Sequence, residues 1–414
     1  MKRREKRKID FAIMMLSGVL MSFSAYCWVN VLLQGTAVLF PDAFAVEQTN
    51  QSEVLPETEK ETQEQGEEDE LPLQTSAQEK ESGPREKHLL QQLDDFMGRI
   101  DNFWYVNVCR ENEWSGLDSA VTYLATGEIS SSQVLLGKEG WLFYKSVFDN
   151  DPIGDYDGTK QFTQDEMKMI GESVLRVQTA LEERGIRFTV LLCPNKENVY
   201  AAYMPENYAY AEKSRTDFLA AYLEDEGVSV VNLKENMIRH SGGYPLYYLY
   251  DTHWNQLGGY VGTETLLRSW GIGYPQLKER KILSKNLWDC ENRECNDDLA
   301  KLSRLQFVFD DEREYVVEGT HSIDWRGIES EEYICFENPD AVCEERVLLI
   351  GDSFRRAMLP SLCEEFREVY VIHRENFEAG MLNEIHPDDV IAEYVERYSG
   401  DMKEMENLFY DSGS

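Results

Sequence analysis

The chain has 414 residues, enough for one large domain with appendages or two ordinary domains, so a sizeable buried core is available without reliance on disulfides. Acidic residues outnumber basic ones by 77 to 41, giving a formal charge of −36. A chain so charged repels nucleic acid and, in general, anionic lipid surfaces, and nucleic acid is not an expected partner.

The opening residues MKRREKRK precede an apolar run from about Phe11 to Phe40, longer than the ~20 residues a helix needs to cross a bilayer. Residues 1–45 are therefore expected to form a cytoplasmic basic tail and a single-pass transmembrane anchor. By the positive-inside rule everything after Phe40 then lies outside the cell membrane. Ala43-Phe44-Ala45 also has the small-x-small form of a cleavage site, which leaves removal of the anchor open. From Val46 to about Glu86 the chain is nearly devoid of aromatics and rich in Glu, Gln, Ser and Thr. Such a composition cannot bury enough apolar surface to offset the entropy of ordering, so residues 46–86 are expected to be a disordered acidic linker, extended by its own charge.

The folded region is expected over residues 87–414. Leu89, Leu90, Leu93, Phe96, Met97, Ile100 and Phe103 recur near helical spacing and predict an amphipathic helix at its start. Further on, a helical stretch from about Thr163 to Glu183 leads into the β-branched run Ile186 to Leu192, and another from about Arg215 to Glu224 leads into Val228 to Val231. Arg346 to Ile350 reads as a buried strand, Phe354 to Phe366 as a helix and Val369 to Ile372 as a further strand. This alternation predicts an α/β domain with a mainly parallel central sheet flanked by helices, in which functional groups gather beyond the carboxyl ends of the strands.

Of eight cysteines, Cys27 lies in the anchor and the odd number beyond it cannot all pair. Short spacings make Cys290 with Cys295 and Cys335 with Cys343 candidate local disulfides in an oxidising compartment, with the connectivity left open by the sequence. No C-x-x-C pair or cluster of histidines points to a metal, and no cofactor is expected.

The sharpest local feature is RVLLIGDSFRRAMLPSL, where an apolar strand ends at Gly351-Asp352-Ser353 and a helix begins at once. A hydroxyl at such a turn stands at the sheet edge beside the backbone N–H groups of the first helical turn, which can stabilise an oxyanion. The plainer reading is that Ser353 or Asp352 caps the helix. As a nucleophile Ser353 needs a base, and the base needs a group to fix its tautomer. In YYLYDTHWNQLGGY, Asp251 stands two residues before His253, and on an extended segment those side chains face the same way. Here too a turn or helix cap is the alternative. Together, a strand-exit serine and an Asp-x-His supply the parts required for acyl transfer.

Three segments, GKEGWLFY at Gly137 to Tyr144, DTHW at Asp251 to Trp254 and GDSF at Gly351 to Phe354, resemble the AlgX/AlgJ branch of bacterial polysaccharide O-acetyltransferases and the related DHHW proteins. Pro194-Asn195-Lys196 and Asp298-Leu299-Ala300 also match what these families tend to show. The resemblance implies an SGNH-hydrolase-like domain in rearranged order, with Asp and His ahead of Ser. It implies Ser353 as nucleophile, His253 as general acid/base and Asp251 as the orienting carboxylate. Thr252 stands where the DHHW name expects His. The implied function is extracytoplasmic O-acylation, usually acetylation, of a cell-surface or secreted polysaccharide, with a membrane-bound O-acyltransferase as the donor partner. A carbohydrate esterase and a non-catalytic glycan-binding protein of the same fold are the alternatives. Asn195 and Lys196, in a loop just after a strand, are candidate substrate-binding residues, with a satisfied turn residue and a solvated lysine as the alternative. Trp254 is either a sugar-stacking wall or a packing residue. No separate carbohydrate-binding module is expected before Ser414.

Overall fold

The computed structural model describes residues 111–410, apart from 288–296, 307, 310–311 and 321–332. The expected anchor, acidic linker and Leu89–Phe103 helix lie outside the described residues, as do Cys290 and Cys295. The chain divides into two units between Trp114 and Ser115, and every strand among the described residues belongs to the second. Among the described residues no helix is long and apolar enough to cross a membrane.

Among the described residues ten strands run in order: β1 (Val134–Leu136), β2 (Leu142–Tyr144), β3 (Arg187–Cys193), β4 (Val230–Asn232), β5 (Ile282–Asn286), β6 (Arg313–Val317), β7 (Ile334–Glu337), β8 (Cys343–Gly351), β9 (Phe366–His373) and β10 (Asp389–Val395). The helices include α1 (Glu111–Thr126), α2 (Gln164–Glu183), α3 (Arg215–Asp225), α4 (Gln256–Ser269), α5 (Asp298–Leu302) and α6 (Leu359–Glu365). Six strands form the central sheet in the order β4-β3-β10-β8-β9-β7. Its first five strands are parallel and β7 runs antiparallel to β9 at one edge, so the sheet is mixed with a parallel body.

Period-two alternation splits the strand side chains between two cores. On one face Leu191, Val347, Leu349, Val369, Val371 and Ile391 pack under α4 and α6, which bring Leu257, Tyr260, Leu359 and Leu362. On the other Phe188, Val190, Leu192, Leu348, Ile350 and Val390 pack under α2 and α3, which bring Ile170, Val174, Val177, Leu219 and Leu223. Helix α2 starts where the sequence marks it. Thr163 accepts from the Glu166 N–H at 3.2 Å and the Glu166 carboxylate accepts from the Thr163 N–H at 2.7 Å, a reciprocal cap. A third, smaller cluster joins β1 and β2 to α5 through Val134, Leu142, Tyr250, Leu299 and Phe309.

Two expectations need correction. The helix read from Phe354 to Phe366 is broken in two: Ser353–Met358 is 3-10 and the α-helix starts at Leu359. Pro360 has no N–H to offer the Arg356 carbonyl, so it belongs in the first turn of a new helix rather than inside an old one. The second concerns cysteine: Cys335 and Cys343 are free thiols. Cys335 pairs with Tyr370 and Cys343 with Phe366, on opposite sides of β9. Two strand spacings of about 4.8 Å, plus the offset along β9, exceed the ~7 Å over which Cα atoms can be bridged.

Candidate active site

Strand β8 ends at Gly351 and delivers Asp352 and Ser353 to the carboxyl edge of the sheet. Asp352 takes the capping role. Its carboxylate accepts from the Phe354 N–H at 2.9 Å and from the Val395 N–H, at the end of β10, at 3.0 Å. The Asp352 N–H in turn donates to Glu393 at 3.0 Å. A Cβ at Gly351 would strike the Glu393 side chain, which is why the turn needs glycine there. Glu393 is fully buried, and burial, followed by the neighbouring Asp352 charge, holds its carboxyl well above the ordinary range.

With capping assigned to Asp352, the Ser353 hydroxyl turns to His253, whose Nε2 lies 2.6 Å away. The Nδ1 of His253 is 2.6 Å from the Asp251 carboxylate, which also accepts the His253 N–H at 2.8 Å. An ionised Asp251 makes Nδ1 the protonated nitrogen and leaves Nε2 as the acceptor for the serine hydroxyl. Burial pushes the Asp251 carboxyl up, but the His253 ring and the N–H groups of Asp298 and His253 outweigh it, and the carboxyl sits below its ordinary value. For His253, burial works downward while the Asp251 charge and hydrogen bond and the Asp298 charge work upward, and the upward group wins.

The Asp251–Trp254 segment is held from four sides. The N–H of Asp298 at the start of α5 donates to Asp251 at 3.0 Å, and the Asp298 carboxylate accepts from the Thr252 N–H at 2.8 Å and hydroxyl at 2.5 Å. Burial, then the Asp251 charge, raises the Asp298 carboxyl, although it keeps 36 % of its surface exposed and water tempers the effect. Trp254 donates its indole N–H to the Phe354 carbonyl at 2.7 Å and packs on the Phe354 ring, tying the histidine segment to the serine segment. Helix α4 comes directly after, and a Cβ at Gly259 would overlap the Ala357 carbonyl, so a glycine face lets α4 lie against the 3-10 turn behind Ser353.

The three candidate substrate residues, each of which had a structural alternative, are all buried. Lys196 is only 2 % exposed, and its ammonium donates to the carbonyls of Leu142 at 2.6 Å, Leu249 at 2.8 Å and Asp251 at 3.0 Å. It is a buried post under the Asp251 loop, and burial holds its pKa down to about 8. Asn195 is buried between Glu396, which accepts its N–H at 2.9 Å, and Asp155. Trp254, 2 % exposed, is a packing residue. The carboxyl end of β3 lies beneath the β1–β2 hairpin, so its loop is covered where those after β8, β9 and β10 are open.

Those open loops, with residues from the hairpin side, line a cavity of about 340 Å³ that contains Ser353, His253, Thr252 and Asp298. Tyr144, Asp149, Arg374, Arg397 and Tyr398 complete the wall. Arg374 and Arg397 place their guanidinium carbons 5.0 and 4.9 Å from the Tyr398 ring, whose hydroxyl donates to Asp149 at 2.8 Å. Apart from Tyr144, which ends the GKEGWLFY segment, none of these five stands out in the sequence. The signal that could have found Arg397 and Tyr398 is their place directly after a strand, β10, that the sequence conceals.

Of the first-turn backbone donors expected to form the anion hole, those after Ser353 are already engaged. The Phe354 N–H is engaged by the Asp352 carboxylate and the Arg355 N–H by the Asp352 carbonyl at 3.3 Å. As for cations, donor atoms of Asp251, His253 and Asp298 lie within 4.8 Å of one another and could hold a metal ion. The hydrogen bonds to His253, Thr252 and the Asp298 N–H already account for that cluster.

Residues 134–369 match the family described as SGNH hydrolase-like domain, acetyltransferase AlgX. Among solved structures, the chain is similar to PatB1 of Bacillus cereus, at 15 % identity and a TM-score of 0.45, over 65 % of this chain and 98 % of that one. It is also similar to a DHHW family protein from Eubacterium siraeum, at 14 % identity and a TM-score of 0.47, over 68 % and 100 %. The O-acetyltransferase domain of Pseudomonas putida AlgJ matches at 16 % identity and a TM-score of 0.42, over 66 % and 99 %. No curated protein matches the sequence.

Proposed function

This chain belongs to the AlgX family of SGNH hydrolase-like acetyltransferase domains, and from that premise we propose that it is a membrane-anchored, extracytoplasmic O-acyltransferase that moves an acyl group, acetyl by family precedent, onto a cell-surface or secreted polysaccharide. The observation that carries the reading is the unbroken line of hydrogen bonds from Asp251 through His253 to Ser353, 2.6 Å at each step. In the first half-reaction Ser353 Oγ attacks the donor's carbonyl carbon while His253 Nε2 takes the hydroxyl proton. Collapse of the tetrahedral adduct breaks the bond to the leaving group, which receives that proton, and leaves an acyl-serine. A sugar hydroxyl then repeats the sequence in reverse, with His253 as base toward the acceptor and acid toward Ser353. Asp251 holds the ring in the required tautomer and stabilises the imidazolium. A membrane-bound O-acyltransferase is the proposed donor partner, and tethering both proteins to one membrane raises their effective concentration.

The test is to give the purified full-length chain a chromogenic acetyl ester with and without an oligosaccharide acceptor. Acetyl mass on Ser353, and its transfer to the acceptor, is the expected result, lost in Ser353→Ala and His253→Ala. Release that never increases or transfers when acceptor is added would favour hydrolysis. Surface acetylation unchanged by both substitutions, yet abolished by deleting the protein, would leave a scaffold instead.

A further inference from the structure

The acyl-transfer chemistry requires donors for the oxyanion, and beyond the N–H of Ser353 itself the first-turn backbone donors, at Phe354 and Arg355, are already engaged. Arg397 lines the same cavity as Ser353 and His253. It is 8 % exposed, its guanidinium carbon lies 5.9 Å from the centre of the Phe354 ring, and the His253 ring lies 5.2 Å from that same ring. Its Nε is buried and has no hydrogen-bond partner among the described residues, the nearest carboxylate oxygen of Asp149 being 3.9 Å away. A buried N–H of a cation without a partner is costly to leave unmet, and a ligand that supplies an acceptor relieves that cost. The Tyr398 ring, on which Arg397 stacks, fixes the plane of the fork.

Two kinds of anion could meet that donor: a fixed charge on the substrate or the charge that develops during reaction. Asp149, Asp298, Asp352 and Glu375 share the cavity wall, and the chain as a whole carries −36. A polyanionic acceptor would be repelled over its length by such a surface, whereas a single transient oxyanion needs one donor at one point. Arg374, the other guanidinium on Tyr398, also has a buried nitrogen without a partner among the described residues, but its other terminal nitrogen is bound to Asp401 at 2.9 Å, so it is the less available of the two.

We propose that Arg397 is a catalytic residue whose guanidinium donates to the oxyanion formed when Ser353 attacks an acyl ester and again when the acceptor hydroxyl attacks the acyl-serine, with a neutral glycan as the acceptor class this wall favours. This rests on the acyl-serine reading. When the Ser353–carbonyl bond forms, the carbonyl π pair moves onto oxygen and is held by Arg397. When the leaving-group bond breaks, the pair returns and the contact weakens. Arg397 transfers no proton and keeps its positive charge through both half-reactions.

The experiment is the pre-steady-state acylation of the full-length chain by a p-nitrophenyl acyl ester, read as the burst of nitrophenolate, in Ser353→Ala, Arg397→Met, Arg397→Lys and Arg397→Ala. Methionine keeps the apolar stem without the donors. Its acylation rate should fall about a hundredfold with an unchanged melting temperature, lysine should fall less, and added guanidinium should restore part of the Arg397→Ala rate. An Arg397→Met burst within twofold of the parent, or an Arg397→Ala protein that melts normally yet gains nothing from guanidinium, overturns the assignment. If instead Ser353→Ala still bursts, the acyl-serine reading itself is what has failed.

Discussion

Gly259 offers the sharpest test of what sets the distance between nucleophile and base. It lies on α4, six positions beyond His253, and a Cβ there would overlap the Ala357 carbonyl and stand 2.8 Å from Met358 N, on the turn that begins at Ser353. Restoring ordinary van der Waals spacing requires α4 and the turn to part by on the order of 1 Å. The 2.6 Å Ser353–His253 hydrogen bond would then open to about 3.6 Å, beyond hydrogen-bond reach. Stability and activity should respond unequally. Alanine in a helix interior gains about 1 kcal/mol over glycine, while overpacking costs about 1–3 kcal/mol, so Gly259→Ala should lose no more than about 2 kcal/mol and melt a few degrees lower. A misplacement of about 1 Å can cost a hundredfold in rate. The assay is kcat/KM toward a chromogenic acetyl ester beside a thermal melt, with Gly242→Ala, where nothing lies within 4 Å, as the control. Parent-like activity in Gly259→Ala, at an unchanged melting temperature, would refute the claim that this helix contact sets the site geometry.

Four further outcomes are expected. The rate of acylation should fall as pH drops through the His253 pKa, because only the neutral ring accepts the serine proton. The Asp251 charge places that midpoint above the ordinary 6.5, so Asp251→Asn should move it down, and a pH–rate profile with an unmoved midpoint would contradict the pairing. Asp298→Ala should lower kcat by about tenfold and shift the same midpoint down, since the Asp298 charge also raises it and its carboxylate holds Thr252; a parent-like kcat and midpoint would count against this. Lys196→Met should destabilise by about 3 kcal/mol or more in chemical denaturation, because three buried carbonyls lose a charged donor; unchanged stability would contradict the buried-post role. Non-reducing denaturation and then alkylation should modify both Cys335 and Cys343, and protection of the two as a linked pair would contradict the strand order.

The parts of the fold that sequence exposes are those where one physical rule acts alone. Helix α2 carries both its cap and its apolar stripe, and β8 closes on the continuous apolar run Val347 to Ile350, so both appear near their true places. Strand β10 sits between β3 and β8 at the centre of the sheet and is buried throughout, yet it carries Asp389 and Glu393. A doubly covered parallel strand is expected to be apolar, and these carboxyls hide it. Each has a use that only the fold reveals: Asp389 pairs with Arg187 at 2.5 Å and Glu393 accepts from the Asp352 N–H. With β10 concealed, the Arg397-Tyr398 wall after it had no structural address. Ser353, His253 and Asp251 were legible because their chemistry restricts residue type. Lys196 misled because a lysine is ordinarily solvated, and nothing local announces three carbonyls converging on its ammonium.

Sheet order explains why segments a hundred residues apart meet. In a parallel sheet every carboxyl end opens on the same edge, so the exits of β8, β9 and β10 deliver Ser353, Arg374 and Arg397 to one rim however far apart they lie in the chain. His253 arrives by another route, since its segment belongs to no strand of that sheet and must be fastened to the rim by side chains. Trp254 on Phe354, Asp298 on Thr252, Lys196 under Asp251 and Gly259 against Ala357 are those fastenings. They come from four separate elements, and each fixes a different degree of freedom of the same short segment. The nucleophile is therefore positioned by the backbone of the fold and the base by tertiary contacts alone. Substitutions around the base, Lys196 with its three buried carbonyls excepted, should accordingly damage activity before they damage the fold, whereas those in β8 should do the reverse.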